Sequence, residues 1–117
     1  MYVRPKPKEH GMGNQVEGMF EAGQRVVVVE DLVSTGKSSL QVCEVLRNEG
    51  LIIEGMVCVF NYGFAQAAEA LDKAGIRLCS LSNYEELIGL AKEKGMFTGE
   101  QLNSLLNWRQ NPAEWGK

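Results

Sequence analysis

Histidine is almost missing from this chain. His10 is the only one among 117 residues. A multi-histidine metal centre is therefore excluded, and a Ser-His-Asp arrangement would have to use that one side chain. Cysteine is also sparse. Cys43, Cys58 and Cys79 are an odd number at long intervals, a spacing that suits neither a disulfide framework nor a zinc site. Each lies in an apolar helix or strand pattern, so buried reduced thiols in a cytoplasmic protein are expected. No apolar run approaches the roughly 18 residues a membrane helix needs. A strong charge of one sign is lacking too: 12 Lys and Arg against 15 Asp and Glu leave −3. Neither nucleic acid nor a membrane surface is expected as a partner.

What is present suits an ordered domain, with 44% hydrophobic and 23% charged residues. Met1 to Arg4 reads as a strand stub, and Pro5 to Asn14 as a Pro/Lys/Gly loop. Val26 to Val29 is a valine run bounded by turn residues, which predicts a strand buried on both faces. Thr35 to Glu49 is helical, with Val42, Cys43, Val45 and Leu46 at spacings of three and four, and Gly50 stops it. A strand over Leu51–Phe60, a helix over Phe64–Ala74 and a strand over Ile76–Leu81 follow. Ser82 with Glu85, or Asn83 with Glu86, caps the next helix, and Thr98 with Gln101 caps the last. The rhythm predicts an α/β fold, a mostly parallel sheet flanked by helices, in a single domain over 1–117. Three full strands and a stub are few for such a sheet, since about 4–6 are typical. The chain is therefore expected to be the C-terminal part of a longer protein, truncated at its N-terminus.

The stretch Val26 to Leu40, VVVVEDLVSTGKSSL, ends in a Gly-Lys-Ser that suggests an ATP-binding phosphate loop. That loop needs a glycine five residues before Gly36, where this chain has Asp31, whose carboxylate would repel phosphate. A different ligand fits better. A buried strand delivers Glu30 and Asp31 to the crevice at its C-terminal end. Ser34 to Ser38 then lead into a helix whose free N–H groups and dipole attract an anion. Carboxylates accept hydrogen bonds from hydroxyls. Acids beside an anion cradle therefore suit a phosphate with vicinal hydroxyls next to it, as in a ribose 5-phosphate.

Val26 to Ser38 resembles the 5-phosphoribosyl 1-pyrophosphate (PRPP) motif of type I phosphoribosyltransferases: hydrophobic strand, two acids, two apolar residues, then a Thr/Ser-Gly loop. Upstream, Arg4-Pro-Lys6-Pro-Lys8-Glu-His10-Gly11, then Gly13-Asn14-Gln15 and Glu17-Gly18, resemble the catalytic loop and following strand of orotate phosphoribosyltransferases. Two departures stand out: Pro5 follows the loop arginine where lysine is common, and Tyr62 stands where many members carry an arginine toward the orotate carboxylate. The resemblance implies a type I phosphoribosyltransferase fold and transfer of the 5-phosphoribosyl group from PRPP to orotate. It implies Lys8, His10 and Asp31 as catalytic residues. PRPP would be bound by Arg4, Lys6, Lys8, His10, Glu30, Asp31, Leu32, Val33, Ser34, Thr35, Gly36, Lys37 and Ser38, with Ser34 also touching orotate. Mg2+ would arrive bound through PRPP, with no protein residue assigned to it, and the enzyme would be a cytoplasmic homodimer. Two other readings stay open: a PRPP-sensing regulator on the same fold, and an inactive fragment of the enzyme.

Overall fold

The computed structural model describes residues 1–7, 9–10 and 14–115. β1 (Tyr2–Val3) pairs antiparallel with β2 (Val16–Glu17), forming a small two-stranded ladder at the base of the N-terminal loop. The main sheet holds β3 (Arg25–Val33), β4 (Ile52–Asn61) and β5 (Leu78–Asn83), in that order and all parallel. Parallel neighbours need crossovers, and α1 (Lys37–Asn48) and α2 (Ala65–Lys73) provide them. α3 (Tyr84–Glu93) and α4 (Gly99–Gln110) complete the chain. No helix among the described residues is long and apolar enough to cross a membrane.

Helix boundaries follow local chemistry. Asn83, rather than Ser82, caps α3, its side-chain oxygen accepting from the Glu86 N–H at 2.9 Å. Thr98 and Gln101 form the expected capping box on α4, with both reciprocal bonds made. Each such cap satisfies N–H groups that a helix start leaves unpaired. The third full strand begins at Leu78, two residues later than its apolar run suggests. Ile76 instead packs into the core as the chain enters the sheet.

The core lies between the sheet and its two crossover helices. Val28, Met56 and Cys58 point from the strands toward Cys43 and Leu46 of α1 and Ala67 and Leu71 of α2. Val3 and Val16 join this cluster and tie the N-terminal ladder to it.

The expectation of a strand buried on both faces is corrected here. Val28 is 6% exposed, but Val27 and Val29 are 54% and 77% exposed. Side chains alternate across a strand, so four valines need cover on both faces, and among the described residues one face lacks it. Val57, Val59 and Leu81 share that open side. The expectation of three buried thiols is corrected for the same reason. Cys43 and Cys58 are buried, whereas Cys79 opposes Val57 on the open face and is exposed.

Candidate functional site

The sheet places its chemistry at the C-terminal end of β3. There Gly36 takes a left-handed conformation, φ +83°, and turns the chain directly into α1. Glycine is needed at this corner because other L-residues disfavour that conformation. Gly36 has no side chain with which to cap α1, and among the described residues the Lys37 N–H reaches Thr35 Oγ1 only at 3.5 Å. The first turn therefore keeps N–H groups directed outward beside the Ser34, Thr35 and Ser38 hydroxyls, an arrangement suited to a phosphate.

Glu30 and Asp31 stand just before this corner. Being consecutive on a strand, they leave its two faces in opposite directions. Glu30 shares the α1-covered face with Val26 and Val28 and is half-buried, whereas Asp31 is exposed. The Asp31 carboxylate accepts from the Leu32 N–H at 2.7 Å. Burial pushes the Glu30 carboxyl above its ordinary value; the neighbouring Ser39 hydroxyl opposes that shift and the Asp31 charge adds to it. Ser39, which sequence reasoning missed, is only 1% exposed. Its place in the first turn of α1, one step from an acid-bearing strand, was the available signal.

The N-terminal segment approaches from the side. Arg4, Pro5 and Gln15 line the same groove as Glu30, Asp31 and Ser38, a hollow of about 840 Å³ beside the free edge of β3. Arg4 is held by Glu17, with Nη2 and Oε1 2.5 Å apart, and its carbonyl accepts from Gln15 Nε2 at 2.9 Å. Lys6 and His10 line a separate hollow against Tyr2, Arg4 and Pro5. Lys8 lies outside the described residues, as do Gly11 and Gly13. The corner thus gathers Arg4, Glu30, Asp31 and Ser38 around one groove and leaves Lys6 and His10 outside it.

The end of β4 lies beside the corner, since the Tyr62 N–H donates to the Val33 carbonyl at 3.1 Å. Tyr62 is locked among aromatic rings. It stacks on Phe64 with centroids 5.3 Å apart and meets Trp108 of α4 edge-on at 5.5 Å. Arg109, next on α4, pairs with Glu85 at 2.8 Å and lies against Gly63. The cluster anchors the last helix to the site end of the sheet.

Comparison with known proteins agrees with this geometry. No family model matches the chain. A curated orotate phosphoribosyltransferase of Listeria monocytogenes is 47% identical over 117 residues, all of this chain and 56% of that protein. The chain thus spans about half the length of the curated relatives it matches. The crystal structure of orotate phosphoribosyltransferase from Aeropyrum pernix superposes with a TM-score of 0.66 at 35% identity, covering 83% of this chain and 52% of that one. The Mycobacterium tuberculosis orotate phosphoribosyltransferase, solved in complex with PRPP, superposes with a TM-score of 0.57 at 34% identity, covering 62% of this chain and 43% of that one. By fold and by sequence, the chain is a homologue of orotate phosphoribosyltransferases.

Proposed function

We propose that this chain carries the phosphoribosyl-transfer site of an orotate phosphoribosyltransferase, which converts PRPP and orotate to orotidine 5′-monophosphate and pyrophosphate. The observation that carries this reading is the β3–α1 corner. Within nine residues, Glu30 to Ser38, it sets two acids beside a glycine-turned, uncapped helix start. The PRPP complex of the Mycobacterium tuberculosis relative supports the same ligand.

Each residue has a defined task in this reading. The first turn of α1 and the hydroxyls of Ser34, Thr35 and Ser38 hold the 5′-phosphate. The carboxylates of Glu30 and Asp31 accept from the ribose hydroxyls and favour the positive charge that develops on the sugar as its anomeric bond lengthens. Arg4, Lys6, Lys8 and His10 supply the cations facing the departing pyrophosphate, where fixed charge contributes most. The reading includes a homodimer in which each N-terminal loop reaches the partner's site, as the resemblance implies, in the cytoplasm.

Mg2+ would be held through PRPP. Such a hard cation takes few protein ligands and shares substrate phosphates. When bound, it would neutralise charge on the leaving group.

The test is loss of orotate absorbance on adding PRPP and Mg2+ to the full-length native polypeptide. Asp31→Asn should lower turnover and weaken PRPP binding. Lys8→Ala should depress turnover far more than PRPP affinity. PRPP binding without any orotate consumption would instead identify a sensor.

A further inference from the structure

Arg109 holds a guanidinium where stability alone gives little reason for one. Its side chain is only 24% exposed, and its Nε is buried without a hydrogen-bond partner. A buried donor left unpaired is costly. Its ion-pair partner, Glu85, is 66% exposed, and a pair with one partner in water contributes little. What the guanidinium touches is more informative.

The chain passes from β4 to α2 through Asn61-Tyr62-Gly63, a turn held in one shape. The Asn61 side-chain oxygen accepts from the Gly63 N–H at 2.9 Å, and Gly63 is left-handed, with φ +73°. The Tyr62 ring is packed against Phe60, Phe64, Tyr84 and Trp108. This turn meets the β3–α1 corner twice. The Tyr62 N–H donates to the carbonyl of Val33, the residue before Ser34. The helix it leads into sets Ala67 against Gly36. Arg109 covers the bare α-carbon of Gly63, where an added methyl group would lie 3.3 Å from Nη1. The same nitrogen reaches Glu85 near the start of α3 at 2.8 Å. One rigid, planar group thus bridges the turn to α3.

We infer that Arg109 is a positioning residue for the acceptor side of the site. Ligands of open α/β sheets bind in the crevice at the C-terminal ends of the strands, and the 61–63 turn walls that crevice at the end of β4. Arg4, a cation assigned to the leaving pyrophosphate, stands in the groove beside the free edge of β3. The incoming base is therefore left the β4 side, next to the turn that Arg109 clamps. A shifted wall would misplace the base while leaving the phosphate cradle of Gly36 to Ser38 in place. The link to the base rests on the phosphoribosyl-transfer reading; the clamp itself rests on the contacts of Arg109.

The experiment compares wild type, Arg109→Gln and Arg109→Lys in the full-length native polypeptide. By nitrogen-15 NMR, the Tyr62 and Gly63 amides should exchange about tenfold faster in Arg109→Gln, the worth of one charged contact. Amides within β3 and β4 should exchange as in wild type. The KM for orotate should rise about tenfold while PRPP affinity, measured by calorimetry, changes less than about twofold. Arg109→Lys keeps the charge and should recover part of both effects; if Arg109→Gln does not fold, the same readouts on Arg109→Lys decide. Wild-type exchange at Tyr62 and Gly63 overturns the inference, and so do equal losses for orotate and PRPP. Faster exchange at the turn, in a protein whose wild type consumes no orotate, keeps the clamp and removes the phosphoribosyl-transfer reading instead.

Discussion

Gly36 is seated directly against Ala67, so that a methyl group added at Gly36 would lie 3.4 Å from both the Cα and the Cβ of Ala67. The β3–α1 corner and the start of α2 are therefore packed closely, and Ala67 is itself only 2% exposed.

Gly36→Ala tests this contact. The substitution forces an L-residue into a left-handed conformation, which costs about 1–2 kcal/mol, and sets its methyl group in contact with Ala67. We expect a melting temperature lower by several degrees and a larger loss of PRPP affinity than of stability, because the uncapped N–H groups turn with the corner. Thermal denaturation and calorimetric titration check the two effects. Equal, small losses in both would show that the loop absorbs the change elsewhere.

Glu30 predicts a pH dependence with a definite sign. Its carboxyl is raised by burial above the value it has in an unfolded chain. Between those two values the native state keeps a proton that the unfolded state has released, so this group lowers stability as the pH rises through that window. Glu30→Gln, neutral at every pH, should therefore melt at a higher temperature than wild type at pH 7 while binding ribose hydroxyls less well. The stability advantage should shrink as the pH falls toward 4. Melting curves across that range decide the matter, and an advantage that grows toward acid pH would contradict the assignment.

The parts of this fold legible in the sequence were those set by neighbours in the chain. Thr98 and Gln101 announce a helix start because both hydrogen bonds of a capping box are local. The β3–α1 corner was legible because its two acids and its Gly36 lie within one short stretch, Glu30 to Gly36. Burial was harder to read. Whether Val29 is covered depends on a layer from elsewhere, and nothing in four valines states that only one layer is present. Ser39 was hidden for a related reason: the helical phase that buries it and exposes Ser38 is fixed by where Gly36 turns the chain. Tyr62 was read as a departure in the site, and its aromatic partner Trp108 comes from 46 positions away, beyond any local pattern.

Trp108 offers a third prediction. Its ring meets Tyr62 and Phe64 at 5.5 Å and Tyr84 at the same distance. The Tyr84 hydroxyl also donates to the Leu105 carbonyl at 3.1 Å, giving α4 a second anchor. Trp108→Ala should cost about 3 kcal/mol, the lower end for removing a large aromatic side chain. Amide exchange should accelerate over 99–110 before the sheet is affected. Tyr84→Phe should loosen the same helix by about 1 kcal/mol. If exchange rises uniformly through the protein, α4 is not a separately anchored unit.

The open face of the sheet gives the last prediction. Val29 and Leu81 are 77% and 85% exposed, with Val57 and Val59 on the strand between them and Val27 beside Val29 on β3. Among the described residues β3 is also an edge strand, paired only on its β4 side in the main sheet. A contiguous apolar surface next to an unpaired edge favours association. The 117-residue chain alone should therefore self-associate with rising concentration and turn over orotate poorly, because covering this face competes with a well-formed site. Val29→Lys together with Leu81→Lys places two charges on that face without touching the corner. Sedimentation equilibrium should then show a shift toward monomer at unchanged circular dichroism. If the lysine variant associates as strongly as wild type, the face is not responsible, and main-chain pairing along the β3 edge carries the contact. A Pro substitution at Val27 would then be the change that abolishes it, because it removes an edge donor.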